Sequence, residues 1–276
     1  MVRLCRFYDH IKILSDDFQQ ARHLEAFRQM CNPQFSFNMD VLQRLEVAHF
    51  TSLVFKLELT KFPKMVQGLQ NALQELSRSI QQFYPDAAFQ INFSAAHITV
   101  RSIADYIRQT EKDLQEYVVF ARPVTRRWLM RMPETRIYLM GLFAHIHANK
   151  GLSVGVRVYP TLPLLQVIRG EIADQLYNSE HNLCLRPETQ FHTMLTHSTL
   201  MRCRNLDFPI SNAAIESFKN VLDRYNKHIF GEIADLQLDD FFIRNGKSDK
   251  LLVTDEHNQP VGCEVCLNNE YPESQE

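Results

Sequence analysis

Hydrophobic positions along the middle of the chain follow two spacings, one typical of β-strands and one typical of helices. Segments with apolar, β-branched and aromatic residues at strand-like spacing predict strands. Segments with apolar residues three and four apart predict amphipathic helices. The predicted strands are 52–59, 96–103, 136–147, 152–159, 191–202 and two short segments within 241–254, and the predicted helices are 64–83, 103–120, 163–178 and 211–230.

Residues that favour helix starts and turns agree with these boundaries. Pro63 and Pro163 lie where two of the helices would begin, and Ser211-Asn212 could cap a third. The segment Ala148-Asn149-Lys150-Gly151 separates two predicted strands and predicts a hairpin turn. A mixture of antiparallel hairpins and helices is typical of the α+β class.

The two ends of the chain differ from this body. Residues 1–48 are predicted to be an appended, partly helical segment, with Ser15-Asp16-Asp17 capping a helix that ends before Pro33. Residues 49–255 form the predicted main domain. Residues 256–276 are enriched in Asn, Pro, Glu and Ser and are predicted to be a mobile tail.

The order of elements in the main domain repeats. A strand and a helix precede a strand that contains His97-Ile98-Thr99-Val100, and a helix and a strand pair follow it. A further helix then leads to a strand containing His197-Ser198-Thr199-Leu200, followed by a helix and strands. The chain therefore resembles two related halves, each with one His-x-Thr strand.

Composition limits the classes of partner. The chain has 276 residues, a formal net charge of −2 and a pI near 6.6. A protein that binds a long nucleic-acid duplex through many phosphates is usually more basic, whereas a small anionic ligand or an RNA end remains compatible with local arginines. No apolar stretch approaches the ~18 residues of a membrane span, and the first residues lack a signal-peptide pattern. We therefore expect no membrane contact, and six scattered cysteines favour a cytoplasmic protein with reduced thiols.

Two other patterns could belong to metal sites. Cys263 and Cys266 form a CxxC pair, but no second pair follows at zinc-finger spacing, so two surface thiols are favoured over half of a metal site. His145 and His147 share one face of a predicted strand, but no carboxylates complete a site around them. A structural or cleft-lining role is favoured for these histidines.

The His-x-Thr pattern places an imidazole and a hydroxyl side by side, because residues i and i+2 of a strand point to the same face. Two such strands supply two imidazoles and two hydroxyls, a set that suits phosphoryl chemistry. One neutral histidine can take a proton from the attacking oxygen, and the other, protonated, can donate to the leaving oxygen. Hydroxyls and a nearby arginine can bind the non-bridging oxygens.

The pattern occurs a third time, in His49-Phe50-Thr51, and a chain with 11 histidines gains one or two such matches by chance. His49 has no helix and strand ahead of it, so it is interpreted as a strand-end histidine. Arg202 lies five residues after His197 and would face away in a regular strand, although a twist or bulge could reverse this. A solvated surface position is the alternative for Arg202, as it is for Arg101 and Arg204.

Residues 50–254 resemble the 2H phosphoesterase superfamily, the RNA ligase-like and cyclic phosphodiesterase proteins with two His-x-Thr/Ser motifs. The resemblance lies in the order of elements, in HITV and HSTL, and in Arg202 after the second motif. It implies a bilobal, pseudo-symmetric α+β fold with two antiparallel sheets flanked by helices and the site in the cleft between lobes. It also implies that His97 and His197 are the catalytic pair, that Thr99, Thr199 and Arg202 bind the substrate phosphate, and that no metal or cofactor is required.

The leading hypothesis is a metal-independent phosphodiesterase that acts on a nucleotide or an RNA end carrying a cyclic phosphate or a 2′-linked phosphodiester. The second is a non-catalytic nucleotide- or RNA-binding module of the same fold, with residues 1–48 contacting a protein partner. The third is a structural α+β protein with chance motifs, in which the two histidines lie too far apart to share one phosphate.

Overall fold

The computed structural model describes residues 49–104, 111–147, 151–178, 196–203, 206, 210–247 and 263–268. In these ranges the chain forms nine strands, four α-helices and two short 3₁₀ turns. The helices are α1 (Pro63–Gln81), α2 (Glu111–Arg131), α3 (Leu164–Asn178) and α4 (Asn212–Tyr225). The strands are β1 (His49–Lys56), β2 (Phe89–Ile91), β3 (His97–Ala104), β4 (Ile137–His147), β5 (Gly151–Pro160), β6 (His197–Cys203), β7 (Ile229–Ile233), β8 (Phe241–Lys247) and β9 (Cys263–Cys266).

The strands form two antiparallel sheets, which confirms the predicted α+β class. The first sheet has the strand order β3-β1-β8-β9, and the second has the order β2-β6-β5-β4-β7. Every pairing in both sheets is antiparallel. The chain passes from the second sheet to the first through residues 92–96, which join β2 to β3. This short link brings the two sheets together.

Each sheet is covered by a pair of helices. Helices α1 and α4 pack against each other and contact strands of the second sheet, whereas α2 and α3 pack together and contact the first. The buried residues of α1 recur three and four apart, as the hydrophobic pattern predicts, and the buried residues of α4 do the same. Pro63 begins α1, and the Ser211 hydroxyl accepts a hydrogen bond from the Ala214 amide at the start of α4, so both predicted helix starts are confirmed.

Three predicted boundaries are wrong. The helix predicted over 211–230 ends at Tyr225, and residues 229–233 instead form the edge strand β7. The helix predicted over 103–120 begins at Glu111 and continues through Pro123 to Arg131. Proline removes one backbone hydrogen bond, but the strong helix formers that follow it continue the helix. The predicted tail contains β9, which pairs with β8.

Several sequence predictions lie outside the described residues. They include the helix within 1–48, the turn at 148–150, the strand segments 191–195 and 250–254, and the position of Arg204. Among the helices of the described ranges, none combines the length and the apolar composition that a membrane span requires.

Candidate functional site

The two His-x-Thr motifs lie in strands that contact each other. His97 begins β3 and His197 begins β6, and these strands meet where the two sheets join. The link between β2 and β3 fixes this arrangement, because the backbone amide of Asn92 donates to the carbonyl of Leu200 at 3.0 Å. The Asn92 side chain also accepts a hydrogen bond from the amide of Ala95, two residues before His97. Asn92 therefore connects both motifs.

Strand β6 contains a bulge directly after its His-x-Thr motif. Along β5, Gly155 pairs with Thr199 but the next residue, Val154, pairs with Met201, so Leu200 is the extra residue. His197 and Thr199 are half-buried and share one face of the strand. Because the bulge shifts the alternation by one residue, Arg202 pairs with Ser153 and lies on the same face as His197 and Thr199. A regular strand would have placed Arg202 on the opposite face.

Strand β3 has the same irregularity at the corresponding position. Val54 of β1 pairs with Thr99 and Leu53 pairs with Arg101, so Val100 is the extra residue. Paired residues of neighbouring strands lie on the same face. Arg101 therefore lies on the face of Leu53, which points to the core, and Arg101 is only 3% exposed. The structure places Arg101 away from the motif face, and its solvated alternative is wrong.

A helix side chain holds the bulge of β3. The guanidinium of Arg169, from α3, donates to the carbonyl of Val100 and to the carbonyl of Thr99 at 3.2 Å. Burial, with the charge of Arg101 nearby, lowers the pKa of Arg169 to about 10. Arg169 could not be predicted from the sequence, because no local pattern marks a helix residue that binds backbone carbonyls of a distant strand.

His97 is held in one tautomer by its own chain. Its Nδ1 lies 2.9 Å from the carbonyl oxygen of Ala95, which can only accept a hydrogen bond, so Nδ1 carries the proton. Nη1 of Arg244 lies 3.4 Å from the same Nδ1, and because both groups are then donors this contact is a charge interaction, not a hydrogen bond. The lone pair of His97 is consequently on Nε2.

The surroundings of His97 disfavour its charged form. Burial is the largest cause and the charge of Arg244 is the next, and together they lower the pKa of His97 to about 4. The hydrogen bond to Ala95 and the carboxylate of Glu264 act in the opposite direction, and the charge of Arg202 lowers the pKa further. Arg202 belongs to the strand that carries His197, and β3 and β6 contact each other.

An ion network surrounds His97 on the first sheet. Glu264, on β9, contacts Lys56 and lies 3.2 Å from Nε of Arg244. The ammonium of Lys56 also lies 4.0 Å above the ring of Phe242. Arg244 and Glu264 pair across β8 and β9, and Arg244 pairs with Ser52 of β1. Glu264 belongs to the segment predicted to be a mobile tail, and nothing in its local sequence marks it as part of a site.

His197 is packed by an aromatic ring. The ring of Phe143, on β4, contacts the imidazole of His197 edge to face, with centroids 5.2 Å apart. The contact depends on Gly155 of the intervening strand β5, because a Cβ at this position would lie 2.8 Å from the Phe143 ring and 2.6 Å from the carbonyl of Ser198. Packing across three strands therefore contributes to the orientation of His197.

Buried polar atoms with unused hydrogen-bonding capacity lie on both motif faces. Within the described ranges, no hydrogen-bond partner is present for the hydroxyls of Ser52 and Ser153 or for Nε of Arg157. Arg157 pairs with His197 across β5 and β6. The motif faces also carry Lys56, Arg202 and Arg244, against the carboxylate of Glu264. This excess of positive charge suits an anionic ligand.

The remaining sequence candidates lie elsewhere or outside what can be described. His49 is the first residue of β1, which confirms the interpretation of a strand-end histidine. Lys56, at the other end of β1, is the residue that pairs with His97. His145 and His147 belong to β4, and their side chains are not among those described. Cys266 is a free, half-buried thiol whose Sγ contacts the Asp239 carbonyl at 3.7 Å. In the described part of the chain, no three His, Cys, Asp or Glu side chains cluster as metal ligands would.

No protein-family model matches the chain, and no curated protein matches it at a significant level. A functional proposal for this protein therefore depends on its own residues and on the geometry of the two motif strands.

Proposed function

We propose that the protein is a metal-independent phosphodiesterase of the 2H type, acting on a nucleotide or an RNA end that carries a cyclic phosphate or a 2′-linked phosphodiester. The observation that carries the proposal is the meeting of two His-x-Thr strands with the same local geometry. Each has a single-residue bulge directly after its threonine, at Val100 in β3 and at Leu200 in β6. A repeated irregularity of this kind supports a pseudo-symmetric, bilobal arrangement with the site in the cleft between the lobes.

His97 is the proposed general base. A base must be unprotonated before the reaction, and the depressed pKa of about 4 keeps His97 neutral near pH 7. Its Nδ1–H donates to Ala95, which leaves Nε2 to accept a proton from the attacking water. His197 is the proposed general acid. In hydrolysis of a cyclic phosphate, the water oxygen bonds to phosphorus, one ring P–O bond breaks, and His197 donates a proton to the departing ribose oxygen.

The phosphate oxygens need donors while negative charge accumulates on them. The Thr99 and Thr199 hydroxyls share their strand faces with the histidines, and Arg202 joins this set through the bulge in β6. Arg244 adds a fourth group beside His97. Donors held in place before the reaction stabilise a developing charge without reorganisation, which is worth several kcal/mol per group (about 2.7–4 for one oxyanion donor). No step in this scheme needs a metal.

The test is turnover of a substrate panel by the full chain. Nucleoside 2′,3′-cyclic phosphates and 2′,5′-linked oligonucleotides are incubated with the purified protein, and the products are separated by chromatography. Replacing either histidine, His97→Ala or His197→Ala, is expected to lower kcat by ~10²-fold or more, because each removes one of the two proton transfers. His228→Ala is the matched control, since His228 is exposed and its ring contacts Tyr225 and Phe230 instead of the motif strands.

Two outcomes contradict the proposal. Full turnover by the double variant His97→Ala, His197→Ala would exclude the two-histidine mechanism. Tight binding of these nucleotides with the substrate recovered intact after hours would favour a non-catalytic binding module of the same fold.

A further inference from the structure

Arg157 is a positively charged residue of the motif face that the proposed reaction does not use. It lies on β5, directly across from His197 on β6. The strand order β2-β6-β5-β4-β7 places β5 on the side of β6 away from β2. Strand β2 leads into β3, which carries His97, so His97 lies on the β2 side of β6. Arg157 lies on the other side of β6, farther from His97 than His197 is. The reacting phosphate, held between the two histidines, would therefore not occupy the space over Arg157.

The position of Arg157 on the same face as His197 follows from the register. Directly paired residues of neighbouring strands have Cβ atoms about 4.5–5.5 Å apart and point to the same side of the sheet. His197 pairs with Arg157 and Thr199 pairs with Gly155, so these four residues lie on the same face of the sheet. Phe143 confirms this side as the motif side, because its ring reaches across Gly155 to the imidazole of His197.

The guanidinium of Arg157 has hydrogen-bonding capacity that its described neighbours do not use. Its Nε is buried and has no hydrogen-bond partner in the described ranges, and Arg157 occurs in none of their ion pairs. Gly141 lies beneath it with a φ of +72°, and a Cβ there would be 3.7 Å from Nη1 of Arg157. The same Cβ would clash with the backbone carbonyl of Asn226, so only a glycine fits between this carbonyl and the guanidinium. Because Arg157 as a residue is half-buried, an anion at the outer nitrogens of its guanidinium would supply the charge partner that the described ranges lack.

We propose that Arg157 forms a second anion subsite, which binds a phosphate group one ribose away from the phosphate that reacts. The substrate class is then a phosphodiester that carries a further phosphate, in preference to a nucleoside cyclic phosphate with a free 5′-hydroxyl. The inference rests on the proposed function for the position of the reacting phosphate. The second phosphate is either the 5′-phosphate of a mononucleotide or the backbone phosphate that precedes an RNA end, since both present the same charged oxygens to the guanidinium.

Equilibrium binding tests the subsite without requiring turnover. The dissociation constants of adenosine 3′-monophosphate, adenosine 3′,5′-bisphosphate and an adenosine dinucleotide ending in a 3′-phosphate are measured by titration calorimetry with the full chain. The 2′-phosphate isomers are measured in parallel. The second phosphate is expected to tighten binding roughly tenfold, the size expected for a charge-assisted hydrogen bond at a partly buried site.

Variants assign this difference to Arg157. Arg157→Gln is expected to bind the monophosphate and the bisphosphate about equally, whereas Arg157→Lys, which retains the charge but not the planar fork, is expected to keep part of the difference. Arg126→Gln is the matched control, because it removes the same charge from an exposed position on α2. Thermal unfolding of each variant checks that the fold is retained.

The outcomes separate this inference from the proposed function. The subsite proposal is overturned if the second phosphate does not tighten binding to the wild type, or if Arg157→Gln keeps the full difference. It is also overturned if Arg126→Gln removes as much of the difference as Arg157→Gln does. If the bisphosphate binds more tightly than the monophosphate but no phosphodiester is hydrolysed, the proposed enzymatic activity is contradicted and the subsite proposal still holds. A larger gain for the dinucleotide than for the bisphosphate would identify an RNA end as the source of the second phosphate.

Discussion

The surroundings of His97 favour its neutral form more strongly than water does for an ordinary histidine. Burial and Arg244 favour the neutral ring, and the Ala95 carbonyl holds the proton on Nδ1. These contacts serve a base better than an acid, since a base must be unprotonated and must present its lone pair. The depressed pKa of His97 also makes the free energy of unfolding depend on pH. The unfolded chain protonates this histidine near pH 6.5 and the folded chain near 4, so the unfolded state binds more protons between these values and stability falls as pH decreases through this window.

The pH dependence of kcat/KM should report this depressed pKa. Because kcat/KM follows the free enzyme, its acid limb is expected near pH 4, well below the ~6.5 of an unperturbed histidine. Arg244→Gln removes a charge that lowers the pKa of His97, so the limb is expected to move upward, toward pH 6.5. The shift is partial, because burial, the largest cause, remains. The measurement is a pH–rate profile of wild type and variant on one cyclic-phosphate substrate.

An exposed arginine provides the control for this profile. Arg136→Gln removes an equal charge from a surface ion pair with Glu232. Its acid limb is expected to coincide with that of the wild type. A limb for Arg244→Gln that stays at the wild-type position, or moves to lower pH, would contradict the assignment of His97 as the titrating base.

At the scale of elements, the site depends on local departures from ideal strands. The bulges at Val100 and Leu200 reverse the face on which the residues after each motif lie. Arg202 therefore lies on the His197 face, and Arg101 lies on the core face of β3. Between β4 and β6, Gly155 leaves the space through which Phe143 reaches His197. Side chains that meet at the site are thus positioned by irregular backbone within otherwise regular sheets.

Gly155→Ala is expected to damage both stability and catalysis. The added methyl group would lie 2.6 Å from the backbone oxygen of Ser198 and 2.8 Å from the Phe143 ring, and the backbone cannot yield cheaply. Overpacking of this kind costs about 1–3 kcal/mol, and a displaced Phe143 no longer orients His197, so kcat should fall as well. Urea unfolding and steady-state kinetics measure the two effects.

Gly170→Ala is the matched substitution. It lies in α3, where a new Cβ would meet no atom within 4 Å, and alanine is a better helix former than glycine. It should stabilise the protein by about 0.5–1 kcal/mol without changing kcat. Equal effects from the two alanines would show that the tight contacts around Gly155 do not orient the site.

The sequence predicted most elements of the described ranges because their burial is periodic. α1 and β5 were predicted to within two residues, since both have a clear apolar face or run. β7 was missed because its residues are mostly exposed or half-buried at a sheet edge, and they continue the polar end of α4 without a break in pattern. The face of Arg202 could not be predicted, because a bulge depends on the register with β5 and not on the residues of β6 alone. Arg157, Arg169 and Arg244 join the site region through pairing and helix packing, which a local pattern does not contain.

At the scale of the whole molecule, distant parts of the chain converge on His97. Residues 92–96 bring it from the second sheet, β8 supplies Arg244, and β9 supplies Glu264. Strand β9 is held by more than its pairing with β8, since Arg122 of α2 donates to the carbonyl of Leu267, and Val265 and Leu267 are buried. Residues 263–268 are therefore part of the folded core, and Glu264 lies in the ion network beside His97. Removal of residues 263–268 would uncover Lys56 and Arg244 together.

A double-mutant cycle tests whether Glu264 acts on the fold through these cations. Arg244 has a side chain only 4% exposed and Glu264 one 16% exposed, so Glu264→Gln leaves a nearly buried guanidinium without its carboxylate. Breaking a fully buried pair costs about 3–5 kcal/mol, and the partial exposure here reduces the expected loss to about 1–3 kcal/mol.

The two single substitutions should not be additive. Once Arg244→Gln has removed the buried charge, Glu264→Gln costs less, so the double variant is expected to be more stable than the sum of the single losses predicts. Glu232→Gln is the surface control, since its partner Arg136 is 57% exposed, and its effect should stay within about 0.5 kcal/mol. The measurement is the free energy of unfolding in urea for all four proteins of the cycle. Additive losses would mean that β9 stabilises the fold only by packing, and the carboxylate of Glu264 would then have no part in holding Arg244 beside His97.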